Sequence, residues 1–190
     1  MTTTRSLWGE VYEMPPGTTA DDLVRMPEDG YKNELYEGML VREMTSPGHA
    51  DICQRLGGEL YVYARTTNYP NRILQNALFD LSPAGASKHV ILAPDLAILK
   101  GNAAPSWDVP QEVPLLAVEV VSDSQTLAEL ALKAQQYRIS GVEDVWVVDH
   151  RTRTVQVWTA QGMTTLADTQ TLNSPLLPGF SLDVRYLLDG

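Results

Sequence analysis

No uninterrupted apolar run in this sequence approaches the roughly 18 residues that span a bilayer, which excludes a membrane-crossing helix. Cysteine occurs once, at Cys53, so an internal disulfide is excluded and a reducing, cytoplasmic setting is expected. Residues 1–9 lack the basic and then apolar run of a secretory signal. Basic residues are scarce: Lys and Arg number 14 against 24 Asp and Glu, for a net charge of −10. Tight, indiscriminate binding to a polyanion depends on Lys and Arg at phosphates and is therefore not expected. A glycine-rich phosphate loop, a Ser-His-Asp order and paired cysteines for zinc are also missing.

What remains fits one globular domain over 1–190, since 190 residues with 44% hydrophobic content can bury a sizeable core. Thr19 caps an expected helix over 19–26, with Asp21 and Asp22 in its first turn. Two alternating runs around Glu37-Gly38 predict a hairpin over 33–44. Ser46-Pro47 opens a long helix to about Ala64, with Ile52, Leu56, Leu60 and Tyr63 at helical spacing. Gly57-Gly58 inside it suggests close packing against a neighbour. Strands are expected at 72–81, 90–99 and 115–121, and a second long helix at 124–140, stopped by Gly141. Val145 to Asp149 is a dense apolar strand, expected at the sheet centre. It turns back into 154–159, and 163–167 adds an edge. The tail over 175–188 reads as turn and edge packing. The class is α/β (α+β): a mixed β-sheet core flanked by helices, with an additional N-terminal hairpin and C-terminal strands.

Three charged residues sit in costly places. Asp95 lies within Ile91-Leu92-Ala93-Pro94-Asp95-Leu96-Ala97-Ile98-Leu99, and Glu119 within Leu115-Leu116-Ala117-Val118-Glu119-Val120-Val121. A carboxylate among apolar neighbours must be paired, hydrogen-bonded or bound to metal. Two on neighbouring strands can converge on one hard cation, with waters completing an oxygen shell for Mg2+ or Mn2+. Lys133 falls at the edge of the apolar face formed by Leu127, Leu130, Ala131, Ala134 and Tyr137, where a lysine can simply snorkel.

The ordered set Glu34-Leu35-Tyr36-Glu37-Gly38, His49, Pro94-Asp95, Val118-Glu119-Val120-Val121-Ser122, Lys133 to Tyr137, and Gly141 to Asp149 resembles the Uma-two family over about residues 30–160. That family groups restriction-endonuclease-like proteins of the PD-(D/E)XK superfamily. The resemblance implies a four-stranded mixed core sheet and Mg2+-dependent hydrolysis of phosphodiester bonds. Asp95 and Glu119 would be metal ligands. The superfamily's lysine, two residues after the glutamate, is Val121 here, and Lys133 on the following helix matches its relocated position. Glu34 matches an early acidic position and could add a ligand or hold a water. His49 is open between a site role and contact with its own backbone.

The leading expectation is a metal-dependent DNA endonuclease using Asp95, Glu119, Lys133 and Glu34. A catalytically degenerate binding or assembly domain and a small-phosphoester hydrolase are the alternatives, and the −10 charge favours either. A homodimer is expected through the hairpin at 145–159 and the tail at 175–188. Cys53, His89, His150, Trp146 and Trp158 read as core, surface or turn residues.

Overall fold

The computed structural model describes residues 3–6, 9–27, 29–83, 85–86, 89–101, 108–110, 112–122 and 125–190. The first half runs β1 (Thr3–Ser6), β2 (Gly9–Glu13), α1 (Ala20–Val24), β3 (Lys32–Tyr36), β4 (Met39–Glu43) and α2 (Pro47–Thr67). Then follow β5 (Arg72–Gln75), β6 (Phe79–Asp80), β7 (Ile91–Leu92), β8 (Leu96–Leu99), β9 (Leu116–Val120) and α3 (Leu127–Ile139). The chain ends with β10 (Asp144–Asp149), β11 (Thr154–Thr159), β12 (Gly162–Ala167), β13 (Thr171–Leu172), β14 (Leu182–Asp183) and α4 (Val184–Asp189).

The strands form two six-stranded sheets, ordered β1-β2-β4-β3-β7-β6 and β12-β11-β10-β9-β8-β5, plus the pair β13-β14. The first sheet is antiparallel throughout. The second is mixed, because β9 and β10 run parallel while its other pairs are antiparallel. It has six strands rather than four, and β10 lies inside it with every residue buried.

Two single strands expected from apolar runs are each broken into two. The run over 90–99 becomes β7 and β8, in different sheets, separated by Ala93-Pro94-Asp95. Proline has no N–H to give a ladder, so the chain leaves one sheet there and enters the other. The run over 72–81 divides in the same way into β5 and β6. These crossings stitch the two sheets together beside Asp95.

Local chemistry sets the other elements. Thr19 and Thr126 each form a capping box, with Asp22 and Glu129, and fix where α1 and α3 begin. Ser46 caps α2 by accepting from the His49 N–H, which orients the first turn carrying that histidine. Glu37 and Gly38 take positive φ of 49° and 82°, the turn that matches strand twist in a two-residue hairpin. On Gly57 a Cβ would come within 3.3 Å of a Leu96 methyl, so α2 approaches β8 closely there; at Gly58 it would meet nothing within 4 Å.

Opposite faces of the mixed sheet bury different cores. On one, Ile52, Leu56 and Leu60 of α2 pack on Leu96, Val118 and Trp146. On the other, Leu130, Ala134 and Tyr137 of α3 pack on Ala97, Ala117, Val145 and Val147. The tail is more than edge packing. Leu177, Phe180, Leu182, Val184 and Leu187 are buried in the α2-side core, and Phe180 stacks on Trp146 with ring centroids 6.3 Å apart. Among the described residues no helix is long and apolar enough to cross a membrane.

Candidate active site

The strand break at Pro94 and the register of β8 on β9 create the site. Leu96 pairs with Val118, so one further step sets Asp95 opposite Glu119 on the α3 face. Both carboxylates are buried, at 1% and 2% exposure, and each has one oxygen held by fixed donors. Asp95 Oδ2 accepts from the Val120 N–H at 2.7 Å and lies 3.1 Å from His49 Nε2. Glu119 Oε1 accepts from the Tyr137 hydroxyl at 2.6 Å and lies 3.0 Å from Lys133 Nζ.

The β3–β4 hairpin closes the site from the other sheet. Lys32 and Glu34 alternate onto one face of β3, and the hairpin register sets Glu43 opposite Lys32. Glu34 Oε1 accepts from the Ala93 N–H at 2.7 Å, while its Oε2 lies 2.8 Å from Lys133 Nζ. Glu43 Oε1 accepts from the Gln125 amide at 2.5 Å and stands 3.7 Å from Lys133 Nζ. Asp95, Glu119, Lys133 and Glu34 therefore meet at one centre, joined by Lys32, Glu43 and Tyr137.

Lys133 is not at the border of its helix's apolar face. It is 1% exposed and points between the sheets, whereas Leu127, expected in the core, is 47% exposed. The α3 axis is rotated so that a charged residue occupies the buried stripe, because the opposing surface is a ring of acids rather than a core. The Lys133 contacts are short but poorly directed, and act as charge pairs rather than formal hydrogen bonds.

A second ammonium completes the ring. Lys32 Nζ lies 3.0 Å from Asp95 Oδ1, 3.3 Å from Glu43 Oε2 and 3.6 Å from Glu119 Oε2. Four buried or nearly buried carboxylates thus surround two lysines, leaving an acidic excess. Burial works against the charge on Asp95, but Lys32, His49 and the Val120 N–H outweigh it and hold that carboxyl well below the usual range. Burial pushes the Glu119 carboxyl up to about 7; the two lysines pull it down while Asp95 and Glu34 push it further up. Burial disfavours the Lys133 ammonium, yet Glu119, Glu34 and Glu43 raise its pKa above the ordinary lysine value, so it stays charged. The Tyr137 hydroxyl is raised by burial and by Glu119, and stays protonated as a donor.

The donor set suits a hard divalent cation. Asp95 Oδ1, Glu119 Oε2 and Glu43 Oε2, which no fixed donor among the described residues holds, converge on a position now taken by a positive group. All are carboxylate oxygens, the ligands of Mg2+ and Mn2+. Beside them, His49, Cys53 and Asp95 offer ligand atoms within 4.8 Å of one another. There burial, and then Asp95, push the Cys53 thiol well up, which disfavours the thiolate a metal would need. His49 contacts Cys53 and Asp95 with its ring, besides the cap made by its backbone. An open groove of about 620 Å³ begins at His49 and Cys53 and runs along Gly58 and Tyr61 to Gln75 and Asn76 of the β5 edge.

Sequence reasoning missed Lys32, Glu43 and Tyr137 as site residues. A signal was present for the first two, since a two-residue turn at Glu37-Gly38 places residues 32 and 43 across from each other. His89 lies apart, half-buried, with Nδ1 3.2 Å from Ser82 Oγ. Trp146 is fully buried core, and the half-buried Trp158 donates to Gln156 at 3.1 Å.

A mixed sheet with acids at a strand crossing and a lysine on the following helix defines a nuclease-fold protein. The chain belongs to the Uma2 family, described as “Putative restriction endonuclease”, whose model matches residues 20–185. A solved structure from Anabaena variabilis, described as a putative nuclease belonging to DUF820, superposes with a TM-score of 0.74 at 16% identity, covering 90% of this chain and 97% of that one. At that identity the likeness establishes the fold. No curated protein matches the chain significantly.

Proposed function

We propose that this protein is a Mg2+- or Mn2+-dependent endonuclease that hydrolyses DNA phosphodiester bonds at the Asp95–Glu119–Lys133 centre. The observation that carries the reading is the convergence of Asp95 and Glu119 with Lys133 in one buried cluster, on adjoining strands and a packed helix. Asp95 and Glu119, with Glu43, would hold the cation. When bound, it would supply Lewis acidity toward a phosphoryl oxygen and acidify water near neutral pH. Lys133 keeps a positive charge beside Glu119, placed to stabilise negative charge growing on the phosphoryl group. Glu34 orients Lys133 while its other oxygen is fixed by the Ala93 N–H. Tyr137 holds Glu119 through its hydroxyl, and His49 holds Asp95.

The −10 charge favours a second substrate class, small phosphoesters, and weighs against strong non-specific DNA affinity. Metal and Lys133 act over short range, so an acidic surface remains compatible with local phosphate recognition. Incubating the protein and Mg2+ with supercoiled plasmid and with a chromogenic phosphodiester, in parallel, separates the two. Nicking that EDTA abolishes supports the endonuclease; turnover of the small ester alone transfers the site to that class. Inactivity on both substrates, with metal bound, leaves the degenerate binding domain. Two attributes accompany the proposal. The lone buried Cys53 suits the cytoplasm, and the half-buried β11 of the 145–159 hairpin, with Tyr186 of the tail 45% exposed, offers a surface for a homodimer.

A further inference from the structure

The two lysines of the site are not equivalent. Lys133 is walled in by α3 and both sheets at 1% exposure, and its ammonium faces Glu34 Oε2 and Glu119 Oε1. Lys32 opens β3, retains 10% side-chain exposure, and borders a groove of about 360 Å³ lined also by Tyr31, Asn33, Thr45 and Asn76. Its ammonium faces three oxygens that no other described residue holds: Asp95 Oδ1, Glu43 Oε2 and Glu119 Oε2. The partner oxygens of those carboxylates are occupied by Val120, Gln125 and Tyr137. Donor geometry of this kind, one oxygen anchored and one turned inward, is what a bound cation requires of its ligands.

We propose that Lys32 is a tethered placeholder for the divalent cation, filling the metal position when metal is absent and leaving it for the adjoining groove when metal binds. The inference rests on reading the centre as a metal site. Without a cation at that point, three inward-facing carboxylate oxygens would repel one another in a dry environment, and the hairpin carrying Glu43 would be pushed from β9. A monovalent ammonium relieves this only in part, since four carboxylates still face two lysines. A dication relieves it further, so exchange is favourable, but the metal must compete with a charge already in place. Lys32 would thereby set the metal concentration at which the site loads.

A purely structural Lys32 gives the opposite sign. If it held the carboxylates in position alongside a metal bound elsewhere, its loss would weaken metal binding. The decisive experiment is calorimetric titration of Mn2+ into wild type and Lys32→Met, which keeps the aliphatic stem and removes the charge. The expected result is tighter binding in the variant by about tenfold or more, as removal of a unit charge at contact distance from a partly buried site implies. Equal or weaker binding in the variant overturns the placeholder while leaving the metal centre standing. Absence of Mn2+ binding in both proteins overturns both readings. A second measurement avoids any folding defect in the variant. In 15N-labelled wild type, the slowly exchanging ammonium signal of Lys32 should disappear on Mg2+ saturation while that of Lys133 persists. A Lys32 signal that survives saturation refutes the displacement.

Discussion

Replacing Lys133 by methionine removes one charge from the best-buried part of the site and leaves its volume nearly filled. Its ammonium lies 2.8 Å from Glu34 and 3.0 Å from Glu119, with the side chain 1% exposed. Deleting one partner of a buried pair typically costs about 3–5 kcal/mol, because the remaining charge is left without compensation. Glu119 can escape part of that cost by taking up a proton, since its carboxyl already sits at about 7. A carboxyl whose folded pKa is raised favours the fold while protonated, and that contribution disappears as pH rises through the folded value. The loss in Lys133→Met should therefore be smaller at pH 6 than at pH 8, where Glu119 must stay ionised. Urea unfolding at the two pH values measures this directly. Plasmid cleavage by the variant, at matched metal occupancy, should fall by about 100-fold or more, the scale of losing one group that stabilises transition-state charge. Stability within about 0.5 kcal/mol of wild type at both pH values would place Lys133 in solvent and refute its assigned role.

Tyr137→Phe removes the hydroxyl that donates to Glu119 Oε1 at 2.6 Å; a loss of about 1–3 kcal/mol is expected in urea unfolding, and an unchanged midpoint would show that Glu119 does not depend on it. Phe180→Ala should cost about 3–5 kcal/mol because the ring lies against Trp146 and Tyr63; a loss below about 1 kcal/mol would mean the tail is peripheral. Mn2+ affinity, followed by calorimetry from pH 6 to pH 8, should rise as Glu119 loses its proton near pH 7, by up to about tenfold per unit below that point. Affinity independent of pH would show that Glu119 is not a ligand.

The long periodic elements were legible from residues alone. Ser46-Pro47 and the Ile52-Leu56-Leu60-Tyr63 spacing marked α2, and Glu37-Gly38 marked the hairpin turn, because caps and turns are short-range chemistry. The division of the apolar runs between two sheets was not legible, since apolar content does not say which sheet a residue joins; only Pro94 hinted at the break. Asp95 and Glu119 stood out by the cost of burying carboxylates. Helical periodicity measures hydrophobicity, so it sets Lys133 at a helix border and cannot anticipate an acidic surface opposite the helix. Lys32 and Glu43 were hidden for a related reason: each looks like an ordinary strand-end charge until the β3–β4 hairpin folds over β9. The tail residues Leu177 to Leu187 resemble edge packing in sequence because their contacts with α2 and Trp146 are distant along the chain.

Whether these acids form one metal centre is decided by a crystal soaked in Mn2+ and measured at a wavelength that reveals the metal by anomalous scattering. The expected result is a peak about 2.1–2.3 Å from carboxylate oxygens of Asp95, Glu119 and Glu43, with Lys32 withdrawn. A peak confined to His49 and Cys53, or no peak beside these carboxylates at saturating Mn2+, would contradict it.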